Sequence, residues 1–111
     1  MVRIDTVVIH ATDARRAADF WGGALGYTPR SKGSLTLVPV DGDGPAVNLD
    51  ETDQMHLDLR VSDPAEQQAE VERLIGLGAQ RVHWEYPDGA NFVVLADTEG
   101  NMFCVVNADD G

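Results

Sequence analysis

The chain has 111 residues, of which 43% are hydrophobic and 24% charged, a length and composition that exclude a disordered segment and two independent domains. Its formal net charge of −11 repels a phosphate backbone, so we expect no nucleic-acid partner. No stretch approaches the roughly 18 to 20 apolar residues that cross a bilayer, and no signal-peptide core is present, so we expect no membrane partner. The single cysteine, Cys104, fits a reducing compartment, and we expect a cytoplasmic protein.

The first half of the chain predicts the element order β-α-β-β-β. Residues 4–12 alternate as a strand, Asp13 is placed as a helix N-cap, and Gly26 is placed as a C-cap glycine. Between these caps the apolar residues recur at helical spacing, and we expect Phe20 and Trp21 in the core. Three further strands are predicted at 27–30, 34–40 and 46–50, with a turn at 41–45.

The second half repeats this order. Residues 55–61, MHLDLRV, alternate as a strand, and Asp63, Pro64 and Glu66 open a helix as N-cap, first-turn proline and capping-box partner. Val71, Leu74 and Ile75 form its apolar stripe, and Gly78 ends it. Strands are then predicted at 81–86, 91–97 and 102–107, with a turn at 98–101.

The two halves align at an offset near 50, which places Thr6 on His56, His10 on Arg60 and Asp13 on Asp63. We therefore predict one domain over 1–111, with module one at about 1–51 and module two at about 52–111. No linker separates the modules, so we expect their sheets to enclose a common cavity.

Three segments carry a family resemblance: ATDARRAADFWGGALGY, HLDLRVSD and VVLADTEGNMFCVV. Together with the doubled element order they resemble glyoxalase-like proteins of the vicinal oxygen chelate superfamily, which includes bleomycin resistance proteins and extradiol dioxygenases. The resemblance implies an α+β fold in which two βαβββ modules form an incomplete barrel around a cavity, with the helices on the outer faces. It also implies a homodimer.

The resemblance also indicates where a metal would bind. The four ligand positions of metal-dependent members fall on Thr6, about Leu49, His56 and Cys104, and only His56 is a ligand of the expected type. A catalytic divalent metal needs at least three protein ligands, and leucine has no donor atom. We therefore expect no cofactor and no metal; a divalent metal held by His56, with Asp58 or His10 replacing the missing ligands, is the less favoured alternative.

Strand alternation places His56, Asp58 and Arg60 on one face, which the resemblance turns toward the cavity. We name these three as candidate catalytic residues: Arg60 would bind a carboxylate or an enolate while His56 or Asp58 moves a proton. The alternative is a structural ion pair between Asp58 and Arg60, because buried charges persist only when paired.

Six further residues are candidate ligand contacts. They come from the first strand, from an aromatic wall and from the last strand: Thr6, Val8, His10, Trp84, Met102 and Cys104. Three of these have a plainer alternative: His10 as an exposed residue at the rim, Trp84 as ordinary packing, and Cys104 as a small buried hydrophobe.

Two functions remain open. One is a small-molecule-binding protein of the glyoxalase and bleomycin-resistance type, without a complete metal site, whose acidic lining would suit a cationic or amphipathic compound. The other is a lyase or isomerase acting on a small carbonyl compound, with His56 as base or metal ligand and Arg60 stabilising an oxyanion. The sequence favours the first, because sequestration needs only shape and complementary charge.

Overall fold

The computed structural model describes residues 2–107, which form two compact units. The first unit comprises residues 5–55, and the second comprises residues 56–107 together with residues 2–4. Each unit has one helix and strands in the order β-α-β-β-β, so the predicted α+β class with two βαβββ modules is confirmed. No helix within 2–107 has both the length and the apolar character needed to span a membrane.

The first unit contains a mixed sheet and one helix. Strand β4 lies parallel to β1 and antiparallel to β3, which in turn pairs antiparallel with β2. The bounds of these elements are β1 Arg3–His10, α1 Ala14–Leu25, β2 Tyr27–Pro29, β3 Thr36–Pro39 and β4 Ala46–Asp50.

Both ends of α1 are capped as the sequence predicts. The Asp13 carboxylate accepts a hydrogen bond from the backbone N–H of Arg16 at 3.0 Å, and Gly26 closes the helix with a left-handed φ of 71°. The Glu51 carboxylate accepts from the N–H of Ala14 at 3.0 Å, which satisfies a second donor of the first turn. The buried face of α1 then packs on the sheet to form the core cluster of Ala14, Ala18, Leu37, Val47 and Leu49.

The prediction that Phe20 of α1 lies in the core is wrong. Trp21 packs against the core as expected, but Phe20 is 64% exposed. Its ring lies on the solvent side and meets the Trp21 ring edge to face, with centroids 5.2 Å apart. Adjacent helical positions point about 100° apart, so only one of the two rings can face the sheet.

The second unit repeats the arrangement. Strand β8 lies parallel to β5 and antiparallel to β7, which pairs antiparallel with β6. The bounds are β5 His56–Val61, α2 Pro64–Gly76, β6 Gln80–Arg81, β7 Phe92–Ala96 and β8 Met102–Asn107. Strand β8 has the predicted bounds.

Helix α2 begins as predicted, with the Asp63 carboxylate accepting from the N–H of Glu66 at 2.7 Å and Pro64 in the first turn. Its buried face covers a core of Val61, Val71, Leu95 and Val105. One expectation for the apolar stripe is wrong, because Ile75 is 37% exposed.

The predicted strand at 81–86 is also wrong beyond Arg81, since β6 spans only Gln80–Arg81. The N–H of Val94 on β7 donates to the Tyr86 hydroxyl at 2.8 Å, so a side chain takes a hydrogen bond that a neighbouring strand would otherwise accept. The segment from 82 to 91 therefore passes β7 without regular pairing, and Trp84 lies in it.

The turn between β7 and β8 is built by one carboxylate. Asp97 accepts hydrogen bonds from the backbone N–H groups of Asn101 at 2.9 Å and Glu99 at 2.8 Å, and from the Asn101 side chain at 3.1 Å. These donors, led by the Asn101 N–H, lower the pKa of Asp97. The turn fixes where β8 starts, and so which of its residues lie opposite β5.

Candidate functional site

Three chemically reactive side chains meet on one face of the second unit. The ligand atoms of His56, Asp58 and Cys104 all lie within 4.8 Å of one another. His56 Nε2 lies 3.3 Å from Asp58 Oδ1. We call this set the HDC cluster. It combines an imidazole, a carboxylate and a thiol.

Strand geometry explains the meeting. His56 and Asp58 are two residues apart on β5 and therefore share a face, and Asp58 lies directly opposite Cys104 in the parallel pairing of β5 with β8. The intervening residues point the other way, since Val61 and Val105 lie in the core beneath α2. The HDC cluster thus occupies the sheet face that α2 does not cover.

The neighbouring strand β7 places an apolar side chain beside Cys104. Val94 of β7 pairs with Cys104 and is only 3% exposed. The sequence left open which side chains of β7 share this face, and the structure assigns Val93 and Leu95 to the core under α2, so Val94 belongs with Cys104. The thiol consequently stands between a buried valine on one side and a carboxylate on the other.

The side chains of the HDC cluster are partly shielded from solvent. The side chains of His56 and Asp58 are 14% and 27% exposed, and Cys104 is half-buried. At this depth an interaction between polar groups is stronger than in bulk water, because fewer water molecules screen it. The imidazole can exchange a proton with a bound molecule while the carboxylate orients the ring.

Arg60 extends the polar face along β5. It is half-buried, shares the face of His56 and Asp58, and lies opposite Val106 of β8. The Asp58 carboxylate contacts the His56 imidazole, and an ion pair between Asp58 and Arg60 stays a prediction. Binding of a ligand carboxylate or enolate by Arg60 stays a prediction.

The remaining predicted contacts lie elsewhere in the two units. Met102 is on β8 on the same face as Cys104 and is half-buried. Thr6 and Val8 are buried on β1 of the first unit, where the Thr6 hydroxyl donates to the Asp5 carboxylate at 2.9 Å. Trp84 is 44% exposed in the irregular segment before β7.

His10 is exposed at the end of β1, in agreement with the alternative that it is an exposed residue at the rim. Its Nδ1 lies 3.0 Å from the backbone oxygen of Asp53. It lines an open groove of about 570 Å³ in the first unit together with Arg16, Phe20 and Trp21. We call this space the α1 groove. It is the region of the first unit that competes with the HDC cluster as a binding site.

The family resemblance placed His56 and Cys104 at metal-ligand positions and Asp58 was named as a replacement ligand, but the residue pattern alone did not show that the three side chains meet. Alternation along β5 relates His56 to Asp58, whereas the contact with Cys104 depends on the register between β5 and β8. A register between strands some 45 residues apart is not readable from local periodicity. The turn predicted at 98–101 limits where β8 begins, but the sequence does not show which residues of β5 lie opposite it.

Residues 6–106 match the family described as Glyoxalase-like domain, so the chain belongs to that family, within the vicinal oxygen chelate superfamily. A comparison with curated proteins found no significant match.

Solved structures share the fold. An NAD-dependent benzaldehyde dehydrogenase from Legionella pneumophila has a TM-score of 0.66 at 12% identity, covering 94% of this chain and 98% of its own. A hypothetical protein from Bacillus halodurans has a TM-score of 0.63 at 14% identity, covering 99% and 96%. Methylmalonyl-CoA epimerase from Streptomyces coelicolor, in complex with 2-nitronate-propionyl-CoA, has a TM-score of 0.60 at 15% identity, covering 100% and 99%. At these identities the likeness concerns the fold.

The four metal positions implied by the resemblance do not form a complete ligand set. Leu49 is 1% exposed within the core of the first unit and has no donor atom, and Thr6 donates its hydroxyl proton to Asp5. The HDC cluster shares His56 and Cys104 with those four positions and adds Asp58, so it offers nitrogen, sulfur and oxygen donors of kinds that hold metal ions in proteins.

Proposed function

We propose that the protein binds a small molecule at the polar face of β5, with the HDC cluster at the centre of the site and without the four-ligand metal site of its family. The observation that carries the proposal is the convergence of His56, Asp58 and Cys104 within 4.8 Å on a sheet face left open by α2. Arg60 and Met102 extend this face, so a ligand would meet one cationic group and one flexible apolar side chain.

Charge supports the choice of ligand class. The chain carries 19 acidic residues against 8 basic ones, and Asp58 places a carboxylate within the site itself. A cationic or amphipathic organic compound, such as an antibiotic, would gain from this field on approach and from Asp58 on binding. Thr6, Val8, His10 and Trp84 stay proposed ligand contacts.

A second candidate function has its own observation. The 3.3 Å approach of His56 Nε2 to the Asp58 carboxylate is the arrangement in which a carboxylate orients an imidazole that acts as a general base. With Arg60 to stabilise an enolate, the same site would serve a lyase or isomerase acting on a small carbonyl compound. An epimerase of an acyl-CoA is among the proteins that share the fold.

One experiment separates the two functions. The protein, freed of metal with a chelator, is screened by thermal shift against cationic antibiotics, α-ketoaldehydes and thiols, since a compound that binds the native state raises the apparent melting temperature. Each compound that stabilises the protein is then incubated with it and followed by NMR for turnover. Binding without turnover is expected.

His56→Ala distinguishes a catalytic histidine from a binding one. If the protein sequesters its ligand, the variant keeps most of the affinity, and a loss of about 10-fold or less is expected. If the protein is an isomerase or lyase, the variant loses turnover while binding persists. His83→Ala is the matched control, because His83 is exposed and lies outside the HDC cluster. Stabilisation by no compound, or equal effects of the two variants, would contradict the proposed site.

We also propose that the protein works as a cytoplasmic homodimer. A single half-buried cysteine beside a histidine suits a reducing compartment. Large apolar side chains at the surface, among them Met55 at 65% and Leu77 at 68% exposure, would gain from burial against a second copy. Sedimentation equilibrium at micromolar concentration is expected to give twice the chain mass, and a monomer would exclude the dimer.

A further inference from the structure

We propose that the α1 groove is an accessory binding site for a planar aromatic carboxylate that also carries a hydroxyl group. The groove lies within the first unit, and its volume of about 570 Å³ is bounded by polar and aromatic side chains. Pockets for organic ligands measure about 300 to 1,000 Å³, so the groove has room for a molecule of this class. The inference goes beyond the proposed function, which places a cationic or amphipathic compound on β5.

One side of α1 forms a wall of the groove. Five lining residues come from the helix and its N-cap, at spacings of three and four: Asp13, Arg16, Ala17, Phe20 and Trp21. Residues three and four apart on a helix are neighbours on its surface, so these side chains form a continuous strip. The strip runs beside the face of α1 on which Ala14 and Ala18 are buried. It therefore brings charged and aromatic groups together at the edge of the core.

Two rings offer a planar ligand a prepared surface. Trp21 is half-buried and packs against the core of the first unit, which restricts its side chain. Phe20 is 64% exposed, and its ring meets the Trp21 ring edge to face with centroids 5.2 Å apart. A bound ring can take an offset or edge-to-face position beside them and remove apolar area of Phe20 from water. The pair of rings accordingly favours an aromatic ligand.

The cationic group of the groove is Arg16. Within residues 2–107 its guanidinium makes no ion pair and no hydrogen bond, whereas the guanidinium of the neighbouring Arg15 donates to the backbone oxygen of Gly33 at 3.2 Å. The carboxylate of Asp13, the acidic residue among those that line the groove, accepts the backbone N–H of Arg16 at 3.0 Å as the helix cap. A guanidinium binds a carboxylate through two parallel N–H donors, so Arg16 would hold the acid group of the ligand.

His10 determines the second polar group of the ligand. Its Nδ1 lies 3.0 Å from the backbone oxygen of Asp53. Because a carbonyl oxygen only accepts hydrogen bonds, Nδ1 carries the proton and donates it, and Nε2 of the neutral ring is an acceptor. Such an acceptor pairs with a hydroxyl donor of the ligand and disfavours a second carboxylate. The ligand is therefore assigned one carboxylate and one hydroxyl.

The test uses the full chain and p-hydroxybenzoate as the probe. Phenol lacks the carboxylate of this probe, and benzoate lacks its hydroxyl. Isothermal titration calorimetry is expected to give one-to-one binding of p-hydroxybenzoate. Phenol should bind about 10-fold or more weakly, because hydrogen bonds to a charged group are lost, and benzoate roughly 3- to 10-fold more weakly.

NMR locates the probe and separates this inference from the proposed function. The ring resonances of His10 and the indole N–H of Trp21 are expected to shift with p-hydroxybenzoate, while those of His56 and Trp84 stay in place. A ligand on β5 is expected to shift His56 instead, so either proposal can fail without the other.

Variants assign the contacts. Arg16→Gln is expected to weaken p-hydroxybenzoate binding by about 10-fold. Arg15→Gln is the matched control, because it removes the same charge from the adjacent position outside the groove, and it should bind as the parent chain does. His10→Ala is expected to abolish the preference for p-hydroxybenzoate over benzoate, and Phe20→Ala to weaken both compounds alike. Circular dichroism of each variant verifies that it is folded.

Three outcomes overturn the inference: no binding of p-hydroxybenzoate at millimolar concentration, equal losses in Arg16→Gln and Arg15→Gln, or a shift of the His56 ring without shifts of His10 and Trp21. The second would show that the overall charge of the chain, and not the groove, determines the affinity. The third would place the aromatic acid on β5.

Discussion

The first strands of the two units occupy equivalent places in a repeated fold and carry different chemistry. On β1 the positions equivalent to His56, Asp58 and Arg60 are held by Thr6, Val8 and His10; Thr6 and Val8 are buried, and His10 is exposed. On β5 the same face carries an imidazole and a carboxylate in contact. The helices and sheets need neither set, because each unit has its own apolar core. The difference indicates that the fold was kept in both units while reactive groups were concentrated in one.

The largest losses of stability are expected from substitutions in the two hydrophobic cores, where the units are equivalent. Leu49 in the first unit and Leu95 in the second are 1% and 0% exposed. Leu49→Ala and Leu95→Ala should each lower the free energy of unfolding by about 2 to 5 kcal/mol, measured by urea denaturation. Val40, which is 76% exposed, is the control, and Val40→Ala should change the free energy of unfolding by less than about 0.5 kcal/mol. If either leucine variant behaved like the control, the two cores would not be equivalent.

Substitutions of the glycines that follow the two helices should destabilise the two units by different amounts. Gly26 after α1 has a φ of 71° and room for a Cβ, whereas at Gly78 after α2 the φ is 118° and a Cβ would lie 2.8 Å from Thr98 Cγ2. Gly26→Ala should cost about 1 kcal/mol of unfolding free energy, and Gly78→Ala about 2 to 3 kcal/mol from strain and the clash together.

A second substitution isolates the clash. Thr98→Ser removes the methyl group that the new Cβ would meet, so it should restore part of the stability lost in Gly78→Ala and none of that lost in Gly26→Ala. Equal losses in the two alanine variants, without any such rescue, would contradict the steric argument.

The helix caps should differ by less. Asp63→Ala should lower the unfolding free energy by about 1 kcal/mol, because the Asp63 carboxylate accepts the N–H of Glu66. Asp13→Ala should cost less, since Glu51 still accepts an N–H of the first turn of α1. The matched controls Asp63→Asn and Asp13→Asn keep an N-cap acceptor, and urea denaturation should show them close to the parent chain. A greater loss at Asp13 would show that Glu51 adds nothing.

The smallest effect concerns pH. The Arg73 guanidinium donates to the buried Glu70 carboxylate at 2.7 Å and lowers the pKa of Glu70. A lowered pKa stabilises the fold above the unfolded-state pKa of a glutamate, near 4.3, and this stability is lost as the pH falls through the lower folded-state value. Glu70→Gln should therefore cost about 1 kcal/mol or less at pH 7, and the gap from the parent chain should close in acid.

The control for pH is Glu72→Gln, on the exposed surface of the same helix, where the Gln68 side chain donates to the Glu72 carboxylate. Its gap from the parent chain should stay small between pH 7 and pH 3 when the unfolding free energy is measured at each pH. A gap for Glu70→Gln that does not shrink in acid would contradict the assigned cause.

Local patterns predicted most of the fold for physical reasons. A continuous apolar run directly after a turn predicted β8, and short polar side chains at Asp13 and Asp63 marked both helix starts. The failures are non-local. Residues 82–86 alternate like a strand, yet the Tyr86 hydroxyl accepts the N–H of Val94 at 2.8 Å. No local pattern indicates that a side chain will accept a bond of the neighbouring strand.

Local sequence likewise predicts one part of the candidate site, and the rest depends on pairing between distant strands. Alternation along β5 predicts that His56 and Asp58 share a face of the sheet. Cys104 joins them only through the pairing of β5 with β8. The family resemblance placed a metal-ligand position at about Leu49, a residue without a donor atom, and the structure places Leu49 in the core of the first unit at 1% exposure.

We propose that the functional site lies on β5 and not in the α1 groove. The most direct test is side-chain NMR of the three histidines, His10, His56 and His83, during titration of metal-free protein with the compound that stabilises it most. The ring resonances of His56 are expected to shift in proportion to occupancy, while those of His83 stay in place. A shift confined to His10, with His56 unchanged at saturation, would place the ligand in the α1 groove and contradict the account.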